Sequence, residues 1–214
     1  MTIRHHIPDT LAMAYAAGDL PEAFNLVIAT HLSMSDESRA RVATFEALGG
    51  AVIETGEAAA LDEGSLDACM ARIAGLPPVP RAAAPRRSGD MPAPLADYVG
   101  TDLAGVNWRP VGLGVRQSIL RTGPGATARL LMIPAGQAMP DHGHNGLELT
   151  LVLKGAFLDG ADRFGPGDIE VADPGMQHTP VAEAWSDCVC LVASDAPLRF
   201  QSLIPRLAQP FLRI

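Results

Sequence analysis

Six prolines fall within twenty residues, 76–95, in the runs Leu76-Pro77-Pro78-Val79-Pro80, Pro85-Arg86-Arg87-Ser88-Gly89 and Pro92-Ala93-Pro94. Proline removes a backbone donor and fixes φ, so such a stretch propagates neither a helix nor a central strand. It reads as a linker, and the hydrophobic period changes across it. The chain therefore divides into a helical part at 1–75, a Pro-rich linker at 76–95 and an all-β part at 96–214. At 214 residues either one large domain or two small ones can bury a core.

Before the linker the spacing predicts four helices. Leu11, Met13, Ala14 and Ala17 precede a Gly18-Asp19-Leu20-Pro21 stop and restart. Ala23, Phe24, Val27, Ile28 and His31 follow at helical spacing, and Phe24, Val27 and Ile28 of that face are expected in the domain's own core. A third helix is expected from about Asp36, through Val42, Phe45 and Leu48, to the Gly49-Gly50 pair or slightly beyond. A fourth is expected from Ser65, as N-cap, to Ile73, with Gly75 as its stop. After residue 100 the chain reads as short strands at Val111–Leu120, Ala128–Ile133, Leu147–Leu153, Ile169–Val171 and Val189–Ala193, separated by Gly and Pro turns. That pattern belongs to an all-β sandwich or barrel.

Within the strands, His142 and His144 are one residue apart, which places both imidazoles on one face of a strand. Glu148 lies beyond an Asn145-Gly146 turn signal that can return a carboxylate to the same place. Imidazoles with a carboxylate suit zinc, iron, manganese, nickel or copper. The run from Gly136 through His142, His144 and Glu148 to Gly155 matches the first cupin motif, G-x5-H-x-H-x3-E-x6-G. The second motif is met at Gly167, Gly175 and His178, with Asp173 where proline is usual and Ala182 where asparagine is usual. Residues 100–200 thus resemble the cupin superfamily. The resemblance implies a double-stranded β-helix (jelly-roll barrel) with His142, His144, Glu148 and His178 converging on a metal, zinc in the first instance and iron, manganese or nickel as alternatives.

The helical part carries His6, His31, Ser35 and Ser38. With cysteine at the two serines, the frame His31-x3-Cys-x2-Cys with a distant His6 would be a structural zinc set. With the Tyr15–Ala23 stretch, this frame resembles the zinc-binding anti-sigma domain family, in which cysteines stand at positions 35 and 38. A serine hydroxyl stays protonated at neutral pH and is a poor zinc ligand, so an N-terminal zinc site at His6 and His31 is impaired in this chain. Members pairing such a domain with a cupin restrain an extracytoplasmic-function sigma factor and release it under oxidative stress, singlet oxygen above all. The resemblance therefore implies a sigma-factor partner and no enzymatic turnover. The alternative is a metal-dependent cupin dioxygenase with a helical regulatory domain.

Charge agrees with a protein partner. Residues 1–80 hold eleven acids against four basic residues, while 81–214 hold thirteen against twelve. An acidic lobe repels nucleic acid and attracts a basic protein surface. No apolar run approaches a membrane span and no signal-peptide core follows Met1, so a cytoplasmic location is expected. Three cysteines, an odd number, do not suggest a disulfide framework. Cys188 and Cys190 are expected as buried core thiols rather than a redox pair, and Cys69 as a helical core residue.

Overall fold

A computed structural model describes residues 2–77, 89, 91–202 and 209. Five α-helices come first: α1 Asp9–Ala17, α2 Glu22–Met34, α3 Asp36–Glu54, α4 Ser65–Ala74 and α5 Ala93–Val99. Twelve strands follow: β1 Arg109–Gly112, β2 Val115–Ile119, β3 Thr127–Ile133, β4 His142–His144, β5 Glu148–Lys154, β6 Phe157–Asp159, β7 Asp162–Phe164, β8 Ile169–Ala172, β9 Gln177–His178, β10 Val181–Ala182, β11 Cys188–Ser194 and β12 Leu198–Phe200. They form one six-stranded sheet, β1-β2-β3-β11-β5-β8, and two three-stranded sheets, β10-β6-β7 and β12-β4-β9. This is a helical N-terminal part with a cupin-like barrel behind it.

The large sheet explains the apolar run at its centre. Strand β11 is paired with β3 on one side and β5 on the other, and Cys188 through Ala193 are all buried. Its side chains alternate between two cores. Cys188, Cys190 and Val192 point inward with Val115, Ile133, Val152 and Phe157. Leu191 and Ala193 point outward with Leu130, Leu149 and Leu151, into a core that also contains Phe24, Val27 and Ile28 of α2. Helix α2 thus lies on the outer face of the sheet, and bundle and barrel share one apolar core. Phe24, Val27 and Ile28 are core residues, as their spacing suggests.

Several local expectations need correction. The stretch Val111–Leu120 is not one strand. It is the β1–β2 hairpin, where Gly112 pairs with Val115 and both Leu113 (φ 53°) and Gly114 (φ 76°) take the left-handed turn conformation. Ser65 is the first residue of α4 while Gly64 occupies the cap; α3, by contrast, ends at Glu54, slightly beyond Gly49-Gly50 as expected. Cys69 is exposed, because α4 has no buried residue. Most of the expected 76–95 linker lies outside the described residues, and α5 begins inside its last turn.

The N-terminal segment is strapped to the edge of the large sheet. Asp168 accepts hydrogen bonds from the backbone N–H of Arg4 (2.6 Å) and His5 (2.9 Å) through Oδ1, and from Gly165 (2.8 Å) through Oδ2. The carbonyl of His5 accepts from Ile169 N–H at the start of β8 (3.2 Å). Gly167 is required here: its φ is +89°, and a Cβ would sit 2.6 Å from Ile3 Cδ1.

Candidate metal centres

His142 and His144 lie on β4, and His178 on β9, with His142 directly opposite His178 in the antiparallel register. The alternation of β4 puts both of its imidazoles on one face, and all three rings are buried. His178 Nε2 lies 3.1 Å from His144 Nε2 and 3.2 Å from His142 Nε2. The outer nitrogens are held unequally. His142 Nδ1 donates to the Pro140 carbonyl at 2.7 Å and His178 Nδ1 to Asp159 Oδ2 at 3.0 Å, while His144 Nδ1 has no hydrogen-bond partner among the described residues.

This arrangement fits a metal ion. With protons on the Nδ1 atoms of His142 and His178, their Nε2 lone pairs face one another with no proton between them. Burial and the neighbouring imidazoles push His142 down and His144 down to about 4, which favours neutral rings with lone pairs free for an ion. Nitrogens bound to one tetrahedral ion at the usual lengths stand roughly 3.3 Å apart, close to the spacing seen. Three buried histidines here form a group that could hold a metal ion.

Glu148, the first residue of β5, lines the same barrel cavity of about 370 Å³ but does not join the tight histidine group. Burial pushes its carboxyl up to about 7, opposed by the Arg129 guanidinium and a hydrogen bond to Thr150. The turn before it is fixed by Asp195, which accepts from Leu147 N–H at 2.8 Å and would overlap any side chain at Gly146. The rest of the cavity wall is largely apolar and includes Met139, Phe157, Val192 and Cys190. Cys188 and Cys190 are buried with their sulfurs 3.6 Å apart, and burial with the Cys188 contact pushes the Cys190 thiol well up.

The four N-terminal residues also converge. His31 Nε2 lies 2.8 Å and His6 Nδ1 3.0 Å from Ser38 Oγ, and Ser35 Oγ lies 3.3 Å from His6 Nδ1. Ser35 is the N-cap of α3 and accepts from Ser38 N–H at 3.2 Å, which is why two side chains three apart meet at a helix start. His31 Nδ1 donates to the Gly167 carbonyl at 2.9 Å, so this ring joins the helical cluster to the barrel. Burial pushes His31 down to about 4, opposed chiefly by that carbonyl. Here hydroxyls satisfy the imidazoles, and the polar contacts close without a metal.

Three contributors carried no sequence signal as site residues. Asp159 and Glu170 stand behind His178, and Arg129 faces Glu148 from β3. Each comes from a different strand, and only the barrel's closure brings them in. Gly167-Asp168 was visible as the opening of the second motif, though not as an anchor for the N-terminus.

Helical bundle and cupin-like barrel together make a two-part protein rather than a free-standing barrel. Residues 97–197 match the ChrR cupin-like domain family. The chain is 60% identical, over the full length of both proteins, to the anti-sigma-E factor ChrR of Cereibacter sphaeroides. It is also similar to the crystal structure of Rhodobacter sphaeroides SigE in complex with the anti-sigma ChrR, with 58% identity, 91% of this chain and 100% of that one covered, and a TM-score of 0.78. The chain belongs to the ChrR family of anti-sigma factors.

Proposed function

We propose that this chain is a cytoplasmic anti-sigma factor that binds and inhibits an extracytoplasmic-function sigma factor through residues 1–75. The metal-binding barrel at 96–214 is needed for the response to oxidative stress, including singlet oxygen. The 60% identity over full length to an anti-sigma-E factor, together with the likeness to a ChrR solved in complex with SigE, carries the reading. Among the described residues no helix is long and apolar enough to cross a membrane, which is consistent with it.

The helical part offers a surface for such a partner. Leu66, Met70 and Ile73 on α4 are 72%, 56% and 56% exposed, and Leu48, Val52 and Ile53 near the end of α3 are 60%, 65% and 81% exposed. Exposed apolar side chains on an acidic lobe suit a partner with apolar and basic groups. Helix α2 takes no part, since both of its faces are occupied.

In the barrel, His142, His144 and His178 would hold zinc, with Glu148 the acidic side chain of the same cavity. Iron, manganese or nickel suit the same donors. Bound there, the metal supplies a Lewis-acidic centre at the floor of an apolar cavity. The chain's own contribution is to orient the imidazoles and exclude water. No turnover is part of this role.

Transcription with purified sigma factor and RNA polymerase tests the proposal. Inhibition is expected with Ser35 and Ser38 changed to cysteine, and M70E/I73E should relieve it. No binding and no inhibition by either the serine chain or its cysteine variant would end the reading.

A further inference from the structure

We infer that Asp159 is the positioning residue of the barrel's histidine centre, holding the His178 ring so that Nε2 faces His142 and His144. The inference rests on the metal-binding reading above.

His178 stands where the three sheets meet. Its own strand β9 belongs to the β12-β4-β9 sheet, Asp159 ends β6 in the second small sheet, and Glu170 lies on β8 of the large sheet. Asp159 Oδ2 accepts from His178 Nδ1 at 3.0 Å, and Glu170 Oε1 is 3.8 Å from the same nitrogen. The Asp159 side chain is 14% exposed and the His178 side chain 5%, so water does not compete freely for this bond. Asp159, Glu170 and His178 each present a ligand atom within 4.8 Å of the others. The carboxylate thus comes from one sheet and the imidazole from another.

The three histidines differ in this respect. His178 has a carboxylate on its outer nitrogen, His142 a backbone carbonyl and His144, among the described residues, nothing. A carboxylate fixes the tautomer most firmly and makes the opposite nitrogen the better donor. His178 also closes the triangle of Nε2 atoms, because both short contacts run through it. Loss of its orientation would open both contacts at once.

The full-length chain with Ser35 and Ser38 is the right background, because its helical cluster lacks thiolates. Zinc affinity is measured by competition with a chromophoric chelator, and geometry by the visible spectrum of the cobalt-loaded protein. D159A is expected to lower zinc affinity about 10- to 100-fold. D159N should fall between D159A and the parent, because its amide oxygen still accepts from Nδ1, and D159E should restore part of the loss. The cobalt spectrum of D159A should change while the melting temperature of the metal-free protein moves little. If D159A misfolds, the D159N affinity and spectrum decide.

Affinity and cobalt spectrum unchanged from the parent in both variants would overturn the inference alone. A parent that takes up no metal overturns the metal reading with it. Two ions per chain, one of them lost in E170Q, would make Asp159 and Glu170 ligands and overturn the positioning role.

Discussion

The two histidine clusters were assembled by the same means and ended with opposite chemistry. In each, a pair of side chains at fixed local spacing meets others brought from elsewhere in the chain: His142 and His144 meet His178, and Ser35 and Ser38 meet His6 and His31. The barrel cluster brings three ring nitrogens to one point and leaves His144 Nδ1 without a partner among the described residues. The helical cluster places a hydroxyl, donor and acceptor at once, between its imidazoles. Geometry alone therefore does not distinguish a metal site from its hydrogen-bonded imitation. The balance of donors and acceptors does.

Restoring S35C/S38C should collapse the contrast and have the largest effect. Two thiolates with His6 and His31 complete a zinc set whose binding free energy is on the order of 10 kcal/mol. Elemental analysis should show the zinc content rising from about one to about two ions per chain. No increase would mean that the helical frame does not close on an ion.

The strap between the two regions comes next. Asp168→Ala removes the acceptor of three backbone N–H groups and should cost about 4 kcal/mol in urea denaturation at neutral pH. Burial opposes the ionised form, but those three bonds win and hold the Asp168 carboxyl below its ordinary range. Its contribution is thus present above the ordinary carboxylate pKa and is lost as pH falls through the lower folded value.

His31 provides a smaller test with the same sign, in a higher pH window. Its folded pKa of about 4 lies below the ordinary 6.5, so the unfolded chain binds the extra proton first. Stability should be full above pH 6.5 and decline by about 3 kcal/mol towards pH 4. His31→Gln should flatten that slope.

Thiol accessibility gives the smallest signal. Cys69 on α4 should react with a thiol reagent at once, and Cys188 and Cys190 only after denaturation. Rapid reaction of all three would mean that the barrel opens readily.

Much of this was legible beforehand, for reasons that differ by residue. The cupin spacing located β4, β5 and β9, because strand alternation and the Asn145-Gly146 turn are local properties. The helical frame located His31, Ser35 and Ser38, because a helix start fixes their relation. Asp159, Glu170 and Arg129 were not legible as partners, since cross-sheet contacts leave no trace in local spacing. Leu113 concealed a hairpin because a leucine at positive φ is rare. The exposure of Cys69 was hidden for another reason: α4 has an apolar face that the fold leaves uncovered, which periodicity alone reads as core.

Helix α2 sets a limit on how fast the two halves can part. Its buried side chains Phe24, Leu26, Val27 and Ile28 pack against β3, β5 and β11 as well as against its own bundle. Lifting it from the sheet would expose apolar surface on both partners, a cost comparable to unfolding a small domain. The amides of Val27 and Ile28 should therefore exchange with deuterium as slowly as those of β11, and those of α4 should exchange among the fastest. A signal that begins in the barrel must then reach α3 and α4 through a joint that stays closed.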